Sequence, residues 1–128
     1  MKKLVLSLSS LVIASSLAVA PVFAEYAQSW SKSSIAGGGF EGSSYFYIEK
    51  KSTVTIGVDQ GPSDTKLRYT LCSTNKCTTS RELSGSQQSA KLTWTDVLPG
   101  GAYYIAIENL STKESWSYGN VYVTANGD

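Results

Sequence analysis

Ser52-Thr53-Val54-Thr55-Ile56-Gly57-Val58 is the stretch that decides the fold class. Val54, Ile56 and Val58 alternate with Thr53, Thr55 and Gly57, a period of two that puts the apolar set on one face of a strand. A helix would need apolar residues three and four apart, and no such stripe of useful length follows the first two dozen residues. Outward from this stretch the alternation recurs. Leu67, Tyr69 and Leu71 alternate with Arg68, Thr70 and Cys72, and Leu92 and Trp94 with Lys91, Thr93 and Thr95. Tyr103, Ile105 and Ile107 alternate with Ala102, Tyr104, Ala106 and Glu108, and Val121 and Val123 with Tyr122 and Thr124. The Thr, Tyr, Val and Ile in these runs are what a pleated, half-buried surface selects.

Turn signals divide the runs: Gly37-Gly38-Gly39, Lys50-Lys51-Ser52, Gly61-Pro62-Ser63-Asp64, Ser84-Gly85-Ser86 and Pro99-Gly100-Gly101. Strands are therefore predicted over 26–31, 43–50, 52–59, 66–72, 77–83, 89–95, 101–109 and 115–124. Seven or eight short antiparallel strands imply an all-β sandwich, because one open sheet would leave an apolar face in water.

The first 24 residues read differently. Met1-Lys2-Lys3 is a positive start, residues 4–19 carry no charge, and Val22 and Ala24 are small residues placed for signal peptidase to cut before Glu25. The apolar run is too short to cross ~30 Å of hydrocarbon comfortably, and a good cleavage site ends it, so a cleaved secretory signal is expected rather than an anchor. A single domain is expected over residues 25–128, with no linker, repeat or low-complexity tail. The expected location is extracellular. The Lys-Lys start and Ala-x-Ala-like end suit a bacterium, of the Gram-positive kind from which the chain would leave the cell directly. Loss of Lys2 and Lys3 leaves nine cations against ten carboxylates, a net of −1 with no run of like charge. Nucleic-acid binding and membrane insertion are not expected of such a chain.

Cys72 and Cys77 are the two cysteines and flank Ser73-Thr74-Asn75-Lys76. In an exported chain this spacing predicts a disulfide closing a hairpin tip. Redox motifs usually carry two intervening residues rather than four, and the chain has no histidine to complete a zinc site.

The run Leu67-Arg68-Tyr69-Thr70-Leu71, then Leu92-Thr93-Trp94, then Leu98-Pro99-Gly100-Gly101-Ala102-Tyr103-Tyr104-Ile105-Ala106-Ile107 resembles bacterial pre-peptidase C-terminal domains. Phe46, Ile48 and the 53–58 strand fit the earlier part of that pattern, so the resemblance spans residues 40 to 124. It implies a small, secreted, jelly-roll-like sandwich of the kind appended to extracellular proteases and other exported enzymes, with a general binding role. Two departures stand out: no enzyme is attached in this sequence, and the family pattern does not call for the disulfide hairpin. Some members bind calcium through clustered acids. Here Asp59 and Asp64 are the only nearby acids of that kind, too few for an oxygen cage, so neither a metal nor a cofactor is expected.

No enzyme is expected either. Without histidine there is no Ser-His or Cys-His pair. Glu41, Glu49, Asp59, Asp96, Glu108 and Glu114 are scattered, whereas a glycosidase needs two carboxylates fixed beside a cleft. Gly37-Gly38-Gly39 opens no helix and lacks the Lys-Ser/Thr of a phosphate loop.

The aromatic residues, eight Tyr and three Trp, are the remaining asset. Trp94, Tyr69 and Tyr103 share faces with Leu and Ile and read as core. Tyr104, Trp116 and Tyr118 do not, and are the candidate ligand-binding residues: were the 101–109 and 115–124 strands neighbours, the three would form one exposed patch for stacking on sugars or capturing a protein. The leading expectation is therefore a secreted, non-catalytic binding module acting at the cell envelope, on an extracellular polysaccharide or on a protein. A secreted antimicrobial of bacteriocin type is the second reading. An inhibitor of an extracellular enzyme is the third, with Asn75 and Lys76 at the tip of the disulfide loop as its inserting residues.

Overall fold

The alternating stretches are strands in the computed structural model, which describes residues 25–126; the expected signal over 1–24 lies outside these. In chain order the strands are β1 (Glu25–Ile35), β2 (Phe40–Gly42), β3 (Phe46–Ile48), β4 (Ser52–Gly61), β5 (Lys66–Ser73), β6 (Arg81–Ser84), β7 (Gln87–Val97), β8 (Gly101–Asn109) and β9 (Ser115–Ala125). One sheet has the order β1-β9-β4-β7, the other β2-β8-β5-β6 with β3 also on β8, and every pairing is antiparallel. β2 and β3 take successive places along the same edge of β8, facing Glu108–Ala106 and Tyr103–Gly101, so they are two halves of one interrupted strand. Counted that way the sandwich has eight strand positions in jelly-roll order.

The strand expected over 43–50 is thus shorter, and β2 precedes it. The break has a local cause: Ser43 satisfies the ladder with its side chain, its Oγ accepting from the Ile105 N–H at 2.9 Å. The carbonyls of Ser44 and Tyr45 turn outward and accept from the Gln28 amide at 2.7 and 2.9 Å. Gln28 stands on β1, so its side chain ties together the margins of the two sheets.

The expected strand over 77–83 is also corrected. Cys72 and Cys77 are joined by a disulfide, and Thr78 bonds back to the Leu71 carbonyl, but regular pairing with β5 starts only at Arg81. The intervening segment leaves the hairpin and lays the Thr79 carbonyl over Trp94, whose indole N–H donates to it at 2.7 Å.

Between the sheets lies the core that the period-two pattern marks. Val54, Ile56, Val58, Trp94 and Val121 face it from one sheet, and Leu67, Tyr69, Leu71, Ile105 and Ile107 from the other, all buried. β9 sends small residues inward, and Gly119 makes room for Trp30: a methyl group there would lie 2.2 Å from the indole. The space is closed by a buried polar chain with one consistent direction. Gln60 Nε2 donates to the carbonyls of Leu83 and Gly85, so its Oε1 accepts from the Tyr69 hydroxyl at 2.8 Å. That hydroxyl then accepts from Ser117, 2.8 Å away, and Ser117 Oγ accepts from the Trp30 indole N–H at 3.0 Å. Every member is satisfied, and the chain links β1, β9 and β4 to β5 across the sandwich.

Candidate binding face

In β9, Ser115, Ser117, Gly119 and Val121 point inward while Trp116, Tyr118, Asn120 and Tyr122 point to solvent. Because β9 lies between β1 and β4, register fixes the neighbours of each outward residue. Trp116 faces Gly61; Tyr118 faces Ser31 and Asp59; Asn120 faces Ser29 and Gly57; Tyr122 faces Tyr26 and Thr55. The middle row, Ser29-Asn120-Gly57, is made of short side chains, with Lys91 of β7 continuing it beyond Gly57. Rings stand on either side of that row.

The result is a shallow trough of about 450 Å³ on the outer surface of this sheet, with Tyr118 and Tyr122 among its walls. Those two tyrosines are four residue steps apart on the strand, a span of roughly 13 Å along the sheet. Each is supported by a second ring: Trp116 lies 5.5 Å from Tyr118, and Tyr26 lies 6.0 Å from Tyr122 in an edge-on contact. Trp116 lies low because Gly61 has no side chain; a methyl group there would fall 2.6 Å from the indole. Two charges of opposite sign line the trough. Asp59 accepts from the Ser89 N–H at 2.6 Å through Oδ1, leaving Oδ2 without a protein donor among the described residues. Lys91 has no ion-pair partner among the described residues. Asp59 is the one carboxylate lining the trough. The arrangement offers flat apolar rings flanking a floor of hydrogen-bonding groups, a surface built for stacking and hydrogen bonding.

Trp116 and Tyr118 therefore stand together, half-buried and exposed respectively. Tyr104 does not join them. β8 belongs to the other sheet, and Tyr104 faces outward there, opposite Cys72 and 5.3 Å from Tyr45. The single patch that neighbouring 101–109 and 115–124 strands would have made is divided between opposite surfaces. Asn75 and Lys76 are exposed at the disulfide-closed turn, where the Ser73 N–H donates to the Lys76 carbonyl at 2.8 Å and both their N–H groups approach Ser73 Oγ. Lys76 borders a second cavity, of about 300 Å³, beside Trp94 and Arg81. The Arg81 guanidinium lies over the Trp94 ring, 5.5 Å from its centre.

Tyr122, Asn120 and Gly57 complete the trough, with Tyr26 bracing Tyr122 beside it, and none of the four is singled out by the sequence. Tyr122 was within reach, since strict alternation along 115–124 puts it on the face of Trp116 and Tyr118. Tyr26 and Gly57 were not, because their place depends on the pairing of strands far apart in the chain. Among the described residues no group of three or more His, Cys, Asp or Glu lies close enough to hold a metal ion. No family model matches the chain, and no curated protein is similar to it.

Proposed function

We propose that this chain is an exported, non-catalytic binding module for an extended extracellular polysaccharide, gripped along the β9 trough. The observation that carries the reading is the pairing of Trp116 with Tyr118 and of Tyr26 with Tyr122 at the two ends of a polar floor. The C–H faces of a sugar ring are apolar and stack on aromatic rings, while its rim of hydroxyls needs both donors and acceptors. Asn120 supplies both, Asp59 accepts and Lys91 donates. A trough with ring pairs roughly 13 Å apart fits several consecutive units of a straight chain better than one monosaccharide. The signal at 1–24 and the resemblance of residues 40–124 to secreted appended domains point the same way.

The test is retention on insoluble cellulose, chitin and peptidoglycan sacculi, which share a β-1,4-linked backbone. Tyr118→Ala combined with Tyr122→Ala should weaken retention at least ten-fold, about 1.4 kcal/mol, with little change in Tm. Absence of wild-type retention on all three polymers, or unchanged retention of the double variant, would refute the reading.

A further inference from the structure

The opposite surface of the sandwich repeats the build of the trough. On β8, Tyr104 stands between Ala102 and Ala106 on the outward face, and its ring lies along Gly42 of β2, where a methyl group would sit 3.5 Å from Cδ2. Tyr45 meets Tyr104 edge-on at 5.3 Å, and Tyr47, 71% exposed, extends the row beside Ala102. A ring lying over a glycine of the neighbouring strand and braced by a second ring is also what Trp116, Gly61 and Tyr118 form.

The charges on this surface are set apart and mutually satisfied. Arg68 pairs with Glu108 at 3.1 Å and with Glu82 at 3.3 Å, and Lys66 pairs with Glu82 at 3.7 Å, along the β5–β6 half of the sheet. The tyrosine half presents rings, hydroxyls and small residues. That combination fits a neutral, hydroxylated chain. A purely apolar partner would leave the three phenol groups without partners.

We infer that the Tyr45–Tyr47–Tyr104 surface is a second polysaccharide platform, and that the module bridges two chains held on opposite faces of the sandwich. The inference rests on the β9 trough being a polysaccharide site. With no polar floor, the second platform is the weaker of the two. Because the platforms point in opposite directions, they cannot engage one flat surface together, so the second adds little to retention and reads out as cross-linking.

The experiment uses protein produced from the full 128-residue chain in a secreting bacterial host, added to suspensions of chitin fibrils and of purified sacculi. Retention is measured by sedimentation and cross-linking by flocculation. Wild-type protein is expected to bind and to flocculate. Tyr45→Ala with Tyr47→Ala, folded by circular dichroism, is expected to bind within about two-fold of wild type and to lose flocculation. Flocculation that survives in this variant, or wild-type binding without flocculation, overturns the second platform and leaves the trough standing. A wild-type dimer in light scattering that becomes monomeric in the variant assigns the surface to self-association and also overturns it. No wild-type retention on either particle removes the trough reading and this one together.

Discussion

Tyr69 gains its place from both sheets at once. Its ring is part of the core and its hydroxyl sits in the directed chain from Trp30 to Gln60, so burial and hydrogen bonding act on one group. Tyr69→Phe keeps the ring but leaves the Gln60 carbonyl without a donor and the Ser117 hydroxyl without an acceptor, which should cost about 2 kcal/mol by denaturant unfolding. Burial also pushes the Tyr69 phenol well above its ordinary value of 10.0, opposed in part by its hydrogen bond with Ser117. The folded chain then keeps a proton that the unfolded chain releases above pH 10. This contribution is fully present below pH 10 and is lost as pH rises, with a slope of about 1.4 kcal/mol per pH unit. Unfolding free energies measured from pH 8 to 11 should fall less steeply for Tyr69→Phe than for wild type. Equal slopes would show that Tyr69 does not hold its proton.

At the scale of elements, local pattern and local chemistry were legible to different degrees. β4, β5 and β8 follow from alternation, since each sends a full apolar set into the core, and β9 follows from Val121 and Val123 at its C-terminal half. β7 is longer than the predicted 89–95 because Ser89 and Asp96 adopt left-handed conformations, φ 56° and 54°, at register shifts against β4. Neither is the glycine that would have announced a bulge. β6 is shorter than expected because the disulfide turn leads into an excursion that caps Trp94, a contact between segments whose spatial relation alternation does not encode. Replacing both cysteines with Ala should lower stability by about 2 kcal/mol through the lost ring closure. It should also shift Trp94 emission as the Thr79 carbonyl loosens from the indole. A variant as stable as wild type would show that the turn holds itself.

For the whole molecule, the fate of the aromatic residues is a matter of topology. In this strand order β8 and β9, consecutive in sequence, lie in different sheets, so Tyr104 and Trp116 face opposite ways. Trp116 and Tyr118, two residues apart on one strand, were bound to share a face whatever the topology, and that half of the candidate site was readable. The charge balance is a whole-molecule property as well: the trough carries Asp59 and Lys91, and much of the remaining charge is paired at the surface. Raising salt from 50 to 500 mM, which shortens the screening length several-fold, should therefore change retention on cellulose or chitin by less than about three-fold. A steep fall would assign the affinity to Lys91 rather than to the rings.

The three tryptophans are unequally placed, and this gives the protein an optical property. Trp30 and Trp94 are 5% and 3% exposed, while Trp116 is half-buried against Tyr118, one of the rings that line the trough. The two buried indoles should emit at shorter wavelength, and the red edge of the spectrum should belong to Trp116. A water-borne quencher such as iodide reaches that indole first. Occupancy of the trough should thus be written into the intrinsic fluorescence of the native chain through the Trp116–Tyr118 contact, with no dye attached, and Trp94, buried away from the trough, serves as an internal reference.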